Sequence, residues 1–506
     1  MTTAEPLLCG IDAGTSQVRA LVFRLDGTPV ASACEPTPTR VLGPDSAEHD
    51  AEGLWAVALG VLRRAVAALP DARAVRGIAV ASVGEAGVLL GADGTALAPI
   101  IAWYDTRTTA ELEWLLTEIG FESLHRTTGL CADPTFSLAK LLWYRRQHPE
   151  LLEAARAWLN VGDYLAWRMC GERATDVSLA SRTMLLDLER RTWAEALLEA
   201  TELPLALLPP IQPNGSRIGT ITADVAAATG LSPDCAVGVG AHDHVCGMMA
   251  AGADVAGVLL DSLGTAEALT LVRDRPMDDP AIGWDGFNQG ALDAGNPLYY
   301  VFGGLPTAAA SVEWIRGLLG GVDHATLIAE AEQAAGAADS VLFLPHLRLG
   351  SPPFPDPVGR GAFLGLSSTT DRGVLFRAVL EGIALDGGNM LKAMLRHLGN
   401  GAPERIVTIG GSTRNRLLMT LKASVFGQEL EVVDLPDATC LGAALLGGLA
   451  AGLFRDLEEA RRGLRLPVRI IPPDPRWTES HRLKRQTAYA AAYAALRPLH
   501  ARLLDD

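Results

Sequence analysis

Apolar and polar positions fall into short alternating blocks from the start of the chain. Leu7 to Ile11 is apolar, Asp12-Ala13-Gly14-Thr15 reads as a turn, and Val18 to Phe23 is apolar again. Asp26-Gly27 is then a strong two-residue hairpin signal before Thr28 to Ala33. Leu54 to Leu69 carries apolar residues at helical spacing, and Val75 to Val83 is β-rich and ends in Gly84-Glu85. The predicted order is strand, strand, strand, helix, strand. Helices are also predicted at Thr108 to Ile119 and Ser137 to Gln147, a Pro-rich connection at Pro204 to Pro213, and a strand, Ala236 to Gly240, that runs into His242-Asp243-His244.

Beyond that point the opening pattern repeats. Val258 to Ser262 and Ala268 to Val272 are apolar around a turn, so Ser262-Leu263-Gly264-Thr265 lines up with Asp12-Ala13-Gly14-Thr15. Two readings fit: an internal duplication, or a coincidence of two Gly-Thr turns in a chain with 52 glycines. Each turn sits between two apolar strands, and helices and strands follow both, which favours duplication. The second half also contains Gly303-Gly304, a long helical stretch from Arg372 to Leu398, strand Arg405 to Ile409, the loop Gly410-Gly411-Ser412, and a helix from about Arg414.

Length and composition narrow the class. The 506 residues, 49% hydrophobic and 20% charged, fit a soluble α/β protein of several domains. A net charge of −16 argues against nucleic acid or anionic membrane as partner. None of the four lysines (Lys140, Lys392, Lys422, Lys484) follows a glycine, so the G-x-x-x-x-G-K-[ST] phosphate loop is excluded. Seven scattered cysteines without C-x-x-C fit reduced thiols. The start of the chain shows no basic segment leading an apolar signal core, and the run Gly442 to Phe454 is short of the ~20 residues of a membrane span, so the protein is expected in the cytoplasm.

The candidate chemistry centres on the turns. In D-x-G-T, glycine lets the backbone approach a phosphate, the amides around Gly14 and the hydroxyls of Thr15 and Ser16 can donate, and Asp12 can hold Mg²⁺ directly or through water. Gly264 and Thr265 would face them from the second turn, where Ser262 replaces the aspartate, and Gly410-Gly411 is either a further close-approach loop or only a tight turn between strand and helix. In extended conformation Trp103, Asp105 and Arg107 would share one face suited to a sugar; alternatively Asp105 or Thr108 caps the next helix, since Thr108-x-x-Glu111 is a capping box. Glu85, at a strand end, would line a ligand crevice, or is simply a solvated turn charge. Asp243, flanked by His242 and His244, reads as a general base or as part of a hydrogen-bonded structural cluster, with a His-based metal hydrolase as a weaker reading.

Taken in order, these segments resemble the FGGY carbohydrate kinases, a family that includes xylulokinase, glycerol kinase and ribulokinase. The resemblance covers nearly the whole chain: Gly10-Ile-Asp-Ala-Gly-Thr-Ser16 to Arg19, Ala102-Trp-Tyr-Asp-Thr-Arg107, Thr175-Asp-Val-Ser-Leu-Ala-Ser181, Gly240-Ala-His-Asp243 and Ser262-Leu-Gly-Thr265. It continues through Phe343-Leu-Pro-His-Leu347, Gly359-Arg-Gly-Ala-Phe363 and Ile409-Gly-Gly-Ser412 with Arg414-Asn415. It implies two actin-like, ribonuclease-H-like α/β domains related by duplication around a cleft: residues 1–243 mainly for sugar and 244–506 mainly for nucleotide. It also implies ATP and Mg²⁺, with Asp12 near the metal, Thr15 and Thr265 at the phosphates, Gly411 and Asn415 near the nucleoside, and Asp243 as base. Gly84-Glu85, where xylulokinases usually carry Gln-Met-His and glycerol kinases Arg-Glu, and His244 after the base depart from the usual patterns and bear on the substrate. The expected reaction is ATP-dependent phosphorylation of a terminal hydroxyl on a neutral ketose or polyol. Glu85, Trp103, Asp105, Arg107 and His244 would bind it, and three carboxylates against one cation, Arg107, would disfavour sugar acids. The alternative is an actin-like ATPase or nucleotide sensor. A homodimer is left open.

Overall fold

Two seven-stranded sheets, each grown from one of the predicted meanders, carry the structure, a computed structural model that describes residues 5–43, 45–334, 340–399, 401–435 and 437–503. The first sheet uses β1 (Leu7–Ala13), β2 (Gln17–Arg24) and β3 (Pro29–Pro36), followed by helix α1 (Ala51–Ala67) and β4 (Val75–Ser82). It is completed by β5 (Arg217–Thr220), β6 (Ala236–Gly238) and β7 (Ala241–His242), in the order β5-β6-β4-β1-β2-β3 with β7 also on β4. Gly27 adopts φ 81°, the left-handed conformation that the Asp26-Gly27 turn needs. α1 starts three residues before the predicted Leu54 because Asp50 caps it, accepting from the Gly53 amide at 2.6 Å.

Helix α2 (Asp243–Ala250) leads to the second sheet: β8 (Val258–Leu263), β9 (Glu267–Arg273), β10 (Asn288–Ala291) and β11 (Tyr299–Leu305). The long helix α3 (Arg372–His397), β12 (Arg405–Ile409), α4 (Arg416–Phe426), β13 (Leu430–Val433), α5 (Ala438–Ala450), β14 (Val468–Ile471) and α6 (Glu479–Arg502) follow. The order is β10-β11-β9-β8-β12-β13-β14. In both sheets the first strand pairs antiparallel with the second and parallel with the strand that follows a helix, β1 with β4 and β8 with β12. This shared topology is the duplication that the sequence predicts, an actin-like α/β fold.

Three apolar cores organise the molecule. One packs α1 against the first sheet, one packs α3 and α4 against the second, and the third lies between the sheets around α2 and α5. α5 approaches so closely that a Cβ on Gly10 would lie 1.8 Å from the Cys440 carbonyl oxygen, and one on Gly442 2.0 Å from that of Cys246. A helical annex containing Thr109–Glu118 and Ser137–Gln147 is inserted after β4. Among the described residues no helix is long and apolar enough to cross a membrane.

Candidate functional site

The first turn is held from two sides. The Gly14 amide donates to the Gln17 carbonyl at 3.1 Å, and Thr37 binds the turn through its hydroxyl to the Gly14 carbonyl at 2.7 Å and its amide to the Ser16 carbonyl at 3.0 Å. Trp103 donates its indole N–H to the Thr15 hydroxyl at 2.8 Å, which joins the expected sugar segment to the expected phosphate turn. The second turn is one residue shorter, with the Gly264 amide on the Ala266 carbonyl at 2.9 Å and the Thr265 carbonyl accepting from the Ala310 amide at 3.2 Å. Gly410 lies against it at φ 106°, and a Cβ there would sit 2.4 Å from the Leu263 carbonyl oxygen, so only glycine fits. Gly411 is exposed beside it. Asn415 caps α4, accepting from the Leu418 amide at 3.1 Å.

Between the turns, Asp12, Arg19, Ser262, Gly410, Asp437 and Thr439 line one cavity. Asp437 and Arg19 pair at 3.5 Å. Burial pushes the Asp12 carboxyl up to about 7, with Asp243 adding to the rise, Arg19 opposing it and Asp437 adding a smaller push. Two carboxyls, Asp12 and Asp437, border this cavity and repel each other, an arrangement that fits a divalent cation. Among the described residues no three His, Cys, Asp or Glu side chains are grouped closely enough to hold a metal by themselves. That donor set suits Mg²⁺, which uses one or two carboxylates and completes its shell with water and phosphate oxygens, and it does not suit a metal held by His242 and His244.

Asp243 opens α2, where its Oδ1 accepts from the His244 amide at 2.6 Å and lies 3.2 Å from His242 Nε2. Burial raises its pKa to about 7, Glu85 adds to the rise and Arg182 opposes it. Glu85 sits at φ 58° and is buried, with Arg182 Nε 2.6 Å from its Oε1. Lys140, fully buried, donates to the Glu85 carbonyl at 2.8 Å and that of Ala102 at 3.0 Å, and burial pulls its pKa down to about 7. Burial likewise holds the His244 imidazole neutral, at about 4, with Arg182 contributing. Arg182, His242, His244 and Phe302 share a small cavity that both halves of the chain line.

The structure departs from the predicted face of Trp103, Asp105 and Arg107. The chain turns there instead of extending, with the Asp105 amide on the Ala102 carbonyl at 3.2 Å. Asp105 is fully buried and accepts from Ser46, Ala47 and Arg107, while Arg107 also pairs with Glu48 at 2.8 Å. These two residues therefore close a network of their own, and Trp103 faces Thr15. Thr108 makes no capping hydrogen bond either; its hydroxyl turns to the Pro134 carbonyl. The cation beside Glu85 and Asp243 is Arg182, which corrects the charge count behind the expected substrate preference. Sequence reasoning missed Arg182 and Asp437. Asp437 had a local signal, a carboxylate just ahead of a helix rich in alanine and glycine; Arg182 had none.

Models of the N-terminal and C-terminal domains of the FGGY family of carbohydrate kinases match residues 7–250 and 259–451. L-fuculokinase of Escherichia coli (strain K12) is 30% identical over 474 residues, covering 93% of this chain and 98% of that protein. Glycerol kinase of Bordetella parapertussis is 32% identical over 475 residues, covering 90% of this chain and 91% of its own length. The crystal structure of xylulose kinase from Rhodospirillum rubrum superposes with a TM-score of 0.86 at 30% identity, over 98% of this chain and 100% of that one.

Proposed function

From the premise that the chain belongs to the FGGY family of carbohydrate kinases, and so transfers phosphate from ATP to a sugar or polyol, we propose how its residues divide the work. Asp243 is the catalytic base. With Oδ1 held by the His244 amide, Oδ2 is left to accept the proton of a terminal substrate hydroxyl, and a carboxyl poised at about 7 matches that task near neutrality. This geometry is the observation that carries the assignment. Glu85, Trp103 and His244 contact the substrate, with Glu85 oriented by Arg182. Asp105 and Arg107 act from outside the pocket, fixing the segment that carries Trp103. Gly14, Thr15, Ser16, Gly264 and Thr265 bind phosphates, and Gly410, Gly411 and Asn415 border the nucleoside. Mg²⁺ at Asp12, directly or through water, would offset charge on the phosphates. Since phosphoryl transfer passes through a loose transition state, positioning and electrostatics carry most of the acceleration.

Residues 1–243 are read as the sugar half and 244–506 as the nucleotide half; residues 1–4, 44, 335–339, 400, 436 and 504–506 of these ranges lie outside the described residues. The net charge of −16 supports small-molecule partners rather than nucleic acid or membrane, and the free cysteines support a cytoplasmic setting. The preferred substrate is a neutral ketose or polyol. Glu85 and Arg182 pair with each other and Lys140 turns to main-chain carbonyls, so the charge facing the substrate is the carboxylate of Asp243, which in its ionised, proton-accepting form disfavours a sugar acid. The sensor alternative has no support among the relatives compared. Sugar-dependent ADP release across ketoses, polyols and their matching acids tests the reading. A higher kcat/KM for an acid than for its neutral counterpart overturns the substrate preference, and ATP turnover indifferent to every sugar overturns the pocket.

A further inference from the structure

Behind the second turn lies a charged cluster that none of these roles uses. Lys422, on α4, is fully buried, with its ammonium 2.5 Å from Glu267 Oε1 and 3.1 Å from Asp261 Oδ2. Those carboxylates stand on the two legs of the turn, Asp261 on β8 and Glu267 at the start of β9. They share a face of the sheet, because Glu267 pairs with Leu263 and Asp261 lies two residues before Leu263. The surrounding helices are shaped to the cluster. A Cβ on Gly387 of α3 would fall 2.7 Å from Glu267 Oε1, and the Phe426 ring lies 4.9 Å from Lys422 Nζ. Lys422 donates a hydrogen bond to Glu267 Oε1 and meets Asp261 as an ion pair; neither Asp261 carboxylate oxygen nor Glu267 Oε2 accepts a hydrogen bond among the described residues. Burial pushes the Glu267 carboxyl up, with Lys422 opposing the rise and Asp261 adding to it.

A buried ion pair is a poor source of net stability, and its better-attested use is to fix geometry. Here one ammonium spans both legs, so their separation, and with it the direction of the Thr265 hydroxyl at the tip, is set from α4. The same helix begins just after the Gly410 loop that lies against Leu263. We propose that Lys422 is a positioning residue that clamps the legs of the second turn and holds it in its phosphate-binding shape from behind. The inference rests on the reading of that turn as a phosphate site.

Binding of ATP and of adenosine by calorimetry, together with both KM values, tests it on the full chain. Lys422→Met should weaken ATP binding and raise its KM about 10-fold, while adenosine affinity and the sugar KM stay at wild-type values. Glu267→Gln, which removes less, should give the same selectivity with a loss of about 3-fold, and it decides the matter if the lysine variant does not fold. Equal losses for ATP and adenosine, or full ATP affinity in either folded variant, would overturn the clamp. A wild-type chain that binds adenosine as tightly as ATP would overturn the phosphate reading of the turn, and the clamp with it.

Discussion

The two Gly-Thr turns occupy matching places in their sheets and differ in where they keep their acid. In the first, Asp12 faces the cleft and Ile11, its neighbour, is buried in the core. In the second, Ser262 faces the cleft and the carboxylate has moved one residue back, to Asp261, which is fully buried against Lys422. A shift of one position along a strand moves a side chain to the other face of the sheet. The same residue type thus takes opposite places: on one face it borders the cavity between the turns, on the other it is buried against the Lys422 ammonium. Two cleft-facing aspartates would have placed further negative charge around an already polyanionic substrate. One turn carries the acid in the cleft; the other is braced without it.

Breaking the chemistry that both turns serve should have the largest effect. Asp243→Asn keeps size and hydrogen bonding but removes the proton acceptor, so kcat should fall by about 10²-fold or more with ATP and sugar binding little changed. Near-normal turnover would remove Asp243 from the mechanism. In the wild-type enzyme kcat should rise with pH through about 7, because the base must be ionised and its pKa is raised to that value; a profile flat from pH 5.5 to 8 would contradict the assignment.

The asymmetry of the turns predicts the next effects. Asp12→Ala should raise the Mg²⁺ concentration for half-maximal activity by about 10-fold, whereas Thr265→Val should weaken ATP handling without moving that requirement. A common shift in both variants would make the turns equivalent. Glu85→Gln strips Arg182 of its buried partner, freeing a cation toward the substrate. It should lower Tm and reduce discrimination against sugar acids by about 10-fold, read as the ratio of kcat/KM values. The smallest effect concerns stability. A carboxyl whose folded pKa is raised contributes stability that is complete below its unfolded pKa and is lost as pH rises through the folded value, here between 3.8 and about 7 for Asp12. Asp12→Asn should therefore raise the Tm of the ligand-free protein by about 1–3 °C, more at pH 8 than at pH 5, as read by calorimetry.

What the sequence disclosed was local. Asp26-Gly27, the paired Gly-Thr turns and the β12 strand before Gly410 are patterns in neighbouring residues, and the structure has them where the pattern puts them. The Trp103 segment misled because alternation was read as an extended strand, while Asp105 satisfies its own chain through the Ala47 and Arg107 amides and so turns inward. Arg182 meets Glu85 across 97 positions and Arg19 meets Asp437 across 418, separations that no periodicity encodes. The start of α1 was misplaced for a smaller reason: the cap at Asp50 is polar and precedes the apolar stripe that marks the helix.

The glycine-lined seat of α5 also bears on how such a chain can evolve. A Cβ at Gly77 would lie 1.9 Å from the Gly447 carbonyl oxygen, as close an approach as those at Gly10 and Gly442, so main chain rests on main chain where the repeats meet. Elsewhere the two copies differ freely: one carries the helical annex, and one keeps its acid in the core where the other keeps it in the cleft. At this joint a change in one copy is a collision with the other, so its history is shared. Any variant that enlarges a residue there needs a compensating backbone shift in the opposite half, and the two repeats must drift together or not at all.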